Sequence, residues 1–282
     1  MNKEYIEFKR ERDLGSIISD AFKFIRLEGK QFFLTILKVA AIPIVIAVAS
    51  MIYYMMSMSS LISEDVSGVM GMFGAICVMM IAYLVAIVFI NLAGMYYIKS
   101  YIDNKGLVRQ EDVVTNTKAK FWSFTGFGIL AGLILFASAM LCVLPLFYTW
   151  PVLSLGASIL VFENETASGA VGKCFNFISG YFWETFGVIF VVAILVGVLG
   201  YVFQIPAFIY QVIKMSIFIG DDPMIAINVY KDPIYLFLNI VSIAGQLMFY
   251  SITLITNVFL YFDINEKKNL TGTIERIDSI GQ

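Results

Sequence analysis

The feature that most constrains this chain is a succession of long apolar stretches. They run over Phe32–Met56, Val69–Ile98, about Phe124–Val143, about Trp150–Phe162, about Phe182–Phe203 and about Ile234–Phe262. A bilayer core needs about 20 apolar residues in a helix to cross it. The composition agrees: 60% of the 282 residues are hydrophobic and only 14% are charged, against roughly half and a quarter in soluble domains. One soluble core of this length has no room for so much apolar surface, whereas a bilayer has. The expected fold is therefore all-α: a polytopic membrane helical bundle of about six transmembrane helices. The third and fourth stretches are too long together for one span. A turn around Pro145–Pro151 is expected to fold them into a tight helical hairpin, with a short fourth span.

Lysine and arginine set the orientation. Residues 1–31 carry seven of them, the segment 99–120 five, the segment 163–181 one, and the tail after Phe262 three. The opposite side holds only Lys214 and Lys231, while Lys38 lies inside the first span. Sixteen against two points to both termini in the cytoplasm and hence to an even number of spans. The segments read as a cytoplasmic N-terminal stretch with an amphipathic helix (1–31), a six-span membrane domain (32–262) and a cytoplasmic tail (263–282). Residues 1–31 mix bases and acids too evenly for a cleavable leader, so the first span is expected to act as an uncleaved signal anchor.

An internal repeat is legible on the cytoplasmic side. Leu14, Ile17, Ile18, Ala21, Phe22 and Ile25 recur at the spacing of one helix face, and Ala167, Ala170, Val171, Cys174, Phe175 and Ile178 repeat it, with Thr166 placed as an N-cap. Glu111–Phe121 gives a weaker third copy. The chain thus reads as three units, each an interfacial amphipathic helix followed by a helical hairpin. Net charge decides between a lipid clamp and a brace. It is +1 over residues 1–31, +2 over 99–120 and −1 in the tail. Polybasic clamps need about four to eight positive residues, so these helices are expected to brace the bundle.

What the chain lacks narrows its chemistry. It has no histidine, which excludes His-ligated metals and Ser-His or Cys-His nucleophile pairs. Cys77, Cys142 and Cys174 are isolated, with no CxxC spacing, so neither a metal site nor a disulfide framework is indicated. No cofactor and no catalytic constellation is expected. A net charge of −2 argues against nucleic acid as a partner.

Polar residues inside apolar stretches are functional candidates by default. Lys38, Asn91, Glu184, Gln204 and Gln246 stand out. Lys38 can snorkel back to the headgroups, pair with Glu184 at the equivalent position of another unit, or contact a substrate; snorkelling is the preferred reading. Glu163 and Glu165 are expected to face water or to cap the following helix. Asp221-Asp222-Pro223 and Asp232-Pro233 read as turns on the outer side. Asn91, Gln204, Asn239, Gln246 and Asn257 are expected to bond between helices.

A recurring pattern joins Pro145-Leu-Phe-Tyr148, Leu153-Ser-Leu, Leu160-Val-Phe-Glu163, Ala170, Gly180, Trp183 and Gly187, with Tyr261-Phe-Asp263 before a charged tail. It resembles the bacterial six-span superfamily that includes the membrane domain attached to some glycerophosphodiester phosphodiesterases. The match is best over about residues 125–200. Lys173-Cys174 stands where members of that family often have Arg-Ser. The resemblance implies an architecture and a bacterial inner-membrane location, and it transfers no catalytic residue; no segment here is long enough to hold the phosphodiesterase barrel.

These features lead to a non-enzymatic, multi-pass inner-membrane protein that organises or supports membrane lipids or partner proteins, including a homo-oligomer. The alternative is a small transporter or permease with a midplane polar site. A packed interior whose polar groups pair with each other favours the first; a midplane cavity lined by Lys38, Asn91, Gln204 or Gln246 favours the second.

Overall fold

The computed structural model describes residues 5–57, 66–141, 143–218 and 229–280. Its long helices are α1 (Leu14–Ser57), α2 (Val66–Asp103), α3 (Gln110–Leu141), α7 (Phe182–Phe218) and α8 (Pro233–Asn269). Between α3 and α7 come α4 (Val143–Ser154), α5 (Gly156–Phe162) and α6 (Ala167–Ile178). A 3₁₀ turn, Val229–Lys231, precedes α8, and α9 (Thr271–Ile280) follows it. Among the described residues, six segments are long and apolar enough to cross a membrane: α1, α2, α3, the stretch Val143–Phe162 formed by α4 and α5, α7 and α8. The protein is an all-α polytopic bundle, an integral membrane protein. Inside hydrocarbon the backbone must satisfy its own hydrogen bonds, which is why these runs are helical.

Two local details differ from the sequence expectation. Pro145 and Pro151 lie within α4 and do not form the hairpin turn. Pro145 falls in the first turn of α4, where no intrahelical donor is needed. Pro151 removes one internal donor, and the helix is interrupted soon after it, between Ser154 and Gly156. The second difference concerns the repeat. The amphipathic stretches beginning at Leu14 and Glu111 run without a break into α1 and α3. Only the last one, from Ala167, is a separate helix, α6. Its N-cap is Thr166, whose hydroxyl accepts from the Gly169 N–H at 3.2 Å. It is separated from α7 by Gly180, at φ +88°, a left-handed conformation that glycine adopts without a Cβ penalty.

The chain divides into two compact units. The first comprises residues 1–39, 90–195 and 251–282. Its core contains an aromatic cluster in which Phe24 meets Tyr101 edge to face at 5.4 Å and Phe32 meets Tyr97 at 5.2 Å. α6 buries Ala170, Cys174 and Ile178 and packs against α3, α4 and α5. It therefore turns its apolar face onto protein, as a brace does. Leu133, Phe136 and Met140 of α3 point outward, as suits helices solvated by lipid.

The second unit comprises residues 40–89 and 196–250. Small residues line its interior, among them Ala75, Ala82 and Ala86 of α2 and Ala207 of α7, while Ile42, Phe73, Tyr201 and Phe208 are exposed. Small side chains let helix backbones approach closely in lipid, where packing rather than water drives association. At the α7–α8 turn, Asp232 accepts from the Ile234 N–H at 2.9 Å and from the Tyr210 hydroxyl at 2.7 Å, and it pairs with Lys214 at 3.3 Å. Three partners, the Tyr210 hydroxyl first, hold its carboxyl below the usual aspartate value.

Candidate functional site

Within the first unit, residues 5–13 form a strap that lies over the ends of the chain. Ile6 and Phe8 are buried, and Phe8 stacks on Phe259 of α8 with centroids 4.2 Å apart. The Ile6 N–H donates to the Tyr101 hydroxyl at 3.0 Å. Burial pushes the neighbouring Tyr5 hydroxyl up to about 12, with Tyr101 and Glu7 adding to the effect.

The strap ends in Arg12, whose side chain is only 1% exposed. Its guanidinium donates to the carbonyls of Phe8 at 2.7 Å, Arg10 at 3.2 Å and Glu7, and to the Asp20 carboxylate at 3.0 Å. It also lies 4.6 Å from the Phe259 ring centroid. Arginine suits this place because its planar fork reaches several acceptors at once.

Asp263, fully buried, accepts from the Arg12 backbone N–H at 2.7 Å and from Lys267 at 2.8 Å. Lys267 also pairs with Glu184 of α7. Glu266 then reaches over the break at Leu270 (φ +49°) to the start of α9. Its carboxylate accepts from the N–H groups of Gly272 at 2.7 Å and Thr273 at 2.8 Å, which the start of a helix would otherwise leave without acceptors. Gly272 is required by proximity: a Cβ there would stand 2.3 Å from the Lys9 carbonyl oxygen. Lys9–Glu275 and Arg276–Glu7 pairs complete the clasp between the two ends of the chain.

A second polar group anchors α6. Lys173 pairs with Glu163 at 2.9 Å and Glu165 at 2.6 Å, and Glu163 also accepts from the Tyr261 hydroxyl at 3.2 Å. Glu165 and Glu163 raise the Lys173 ammonium above its ordinary value, and Lys173 in turn lowers Glu165. The two glutamates face water and hold Lys173 there.

The five intramembrane candidates have separate fates. Lys38 is exposed and donates to the Gln110 side chain at 3.3 Å, whereas Glu184 pairs with Lys267, so the two do not share a partner. Asn91 is buried. Gln204 stands on an exposed face of α7. Gln246, also exposed, donates to Ser242 one turn back on its own helix at 3.1 Å, and Asn239 likewise donates to Tyr235. Asn257 does bond between helices, to the Ser154 carbonyl at 3.4 Å. Asp221 and Asp222 lie outside the described residues.

The central groups of the clasp, Arg12 and Lys267, were not singled out by sequence reasoning. Arg12 and Asp263 are 251 residues apart, and neither interrupts an apolar run. The one available signal was Asp263 in the Tyr261-Phe-Asp263 pattern. Comparisons with protein-family models, with curated proteins and with solved structures each return no match.

Proposed function

We propose that this integral membrane protein is non-enzymatic, resides in a bacterial inner membrane with both termini in the cytoplasm, and organises membrane lipids or holds partner proteins. The observation that carries this reading is the clasp. Arg12, Asp20, Asp263, Lys267 and Glu184 are committed to one another and to backbone groups, so their charge is spent on closing the structure. A transport or proton-relay site needs ionisable groups whose partners change; these groups are paired with one another and with backbone groups. The brace formed by α6 and the sixteen-to-two distribution of lysine and arginine support the same reading, as does the resemblance to the phosphodiesterase-associated membrane superfamily.

The test is extraction into lipid nanodiscs directly from the native membrane, with mass spectrometry of lipids and proteins against an empty-scaffold control. The expected result is enrichment of one lipid class or a stoichiometric partner, a second copy included. Bulk lipid composition without a partner, together with solute flux in proteoliposomes, would overturn the reading in favour of a transporter. For the orientation, alkaline phosphatase fused after Gln282 should be inactive and fused near Glu64 active; the reverse pattern refutes it.

A further inference from the structure

The last turns of α2 and the first turns of α3, both in the first unit, enclose an open cleft of about 100 Å³. One wall presents the half-buried Lys99, whose ammonium donates to the Val161 carbonyl at 2.8 Å and lies 6.0 Å from the Tyr96 ring centroid. Both of those partners are neutral. The lining also includes the exposed carboxylates of Asp103 and Asp112 and the amide of Asn116. Positive and negative groups therefore face one small space. Lys99 and Asp103 are four positions apart on α2, just over one helical turn, or about 6 Å along the axis.

The depth of the cleft is fixed by its neighbours. The apolar run of α2 ends at Ile98, immediately before Lys99. On α3, Trp122 is 79% exposed, the position of a membrane-interface anchor. Asn116 precedes it by six residues, about 9 Å along the helix. The polar layer on each side of a bilayer core is about 5–7 Å thick. Lys99, the first residue past the apolar run of α2, places the inner end of the cleft at headgroup level, and the α3 wall rises past that layer.

From this geometry we infer that the cleft seats the headgroup of a phospholipid bearing a primary amine, with the phosphate on Lys99 and the ammonium on Asp103, Asp112 and Asn116. A primary ammonium brings three donors to these acceptors. A quaternary choline brings none and is ordinarily held by aromatic faces. A glycerol headgroup has no cation for the carboxylates, and a serine headgroup adds a carboxylate that they repel. This inference rests on the lipid-organising reading above and names its lipid and its site.

Native mass spectrometry of the full chain in mild detergent, titrated with short-chain phosphatidylethanolamine, phosphatidylcholine and phosphatidylglycerol, tests it. Phosphatidylethanolamine should be retained about tenfold better than the other two, the scale of a charge-assisted hydrogen bond. Asp103→Asn with Asp112→Asn should abolish that preference without changing the circular dichroism or the melt, since both side chains are exposed. Asp112→Asn alone should lower it partway. Equal retention of the three lipids, or a preference that survives the double substitution, overturns the inference. So does competition by free glycerophosphoethanolamine at the concentrations where the lipid binds, which would mark a site for the soluble phosphoester. Enrichment of a different lipid class with the cleft variants silent refutes the seat and leaves the lipid-organising reading standing. Bulk lipid composition without a partner, together with solute flux in proteoliposomes, removes both.

Discussion

Replacing Arg12 with methionine tests whether the clasp is a structural lock. The guanidinium is charged under all ordinary conditions and nearly sealed from solvent, at 1% side-chain exposure. Methionine fills part of its volume and keeps contact with Phe259, but the carbonyls of Glu7, Phe8 and Arg10 lose their donor. Asp20 keeps one partner, Arg10 at 2.6 Å. Removing one member of a buried pair costs about 3–5 kcal/mol. The strap keeps its apolar anchors Ile6 and Phe8, each worth about 1.5–3 kcal/mol when fully buried, the Ile6 and Arg12 backbone N–H bonds, and the Lys9–Glu275 and Arg276–Glu7 pairs. Arg12→Met should therefore weaken strap docking by about 3–5 kcal/mol. The assay is chemical unfolding in mixed micelles together with limited proteolysis within residues 5–13. Arg12→Lys should recover little, because an ammonium cannot serve four divergent acceptors. A double-mutant cycle with Asp20→Asn should give a coupling of about 1–3 kcal/mol. A total loss below about 1 kcal/mol, the range of an exposed pair, would refute the reasoning.

Gly272→Ala attacks the same clasp by sterics. Its Cβ would meet the Lys9 backbone, so docking should weaken by about 1–3 kcal/mol and proteolysis of the strap should accelerate; unchanged cleavage contradicts the packing. Burial pushes the Cys174 thiol up to about 12. With Cys77 and Cys142 replaced by serine, the native protein should resist maleimide at pH 8 and react fully once unfolded; rapid native labelling would show the thiol to be accessible. Glu165 is held below its ordinary value of 4.5 by Lys173, so its contribution is present above that value and disappears as pH falls through the lower folded one. The gap in melting temperature between the wild type and Lys173→Met should therefore narrow on acidification below pH 4.5. A gap that widens would reverse the sign of the argument.

The six apolar runs, and with them the helices, were determined by the sequence alone, because hydrocarbon forces a backbone to satisfy itself locally and apolar length is a local property. The N-cap at Thr166 was equally local, since a hydroxyl reaches only the N–H groups of the next turn. The turn expected at Pro145–Pro151 is helix instead, because Pro145 in a first turn costs the helix nothing and Pro151 removes only one internal donor. Whether an amphipathic stretch stays separate from its span, as α6 does, or fuses with it, as in α1, depended on a single positive-φ glycine in context. The polar side chains followed tertiary structure throughout. Gln246 and Asn239 bond within their own helix although they interrupt an apolar run, whereas Arg12, Asp263 and Lys267 look like ordinary charged residues near chain ends. Only folding brings residues 12, 20, 184, 263 and 267 within hydrogen-bonding distance of one another. The value of a buried charge is set by what surrounds it in space, and sequence spacing carries no record of neighbours 251 residues away.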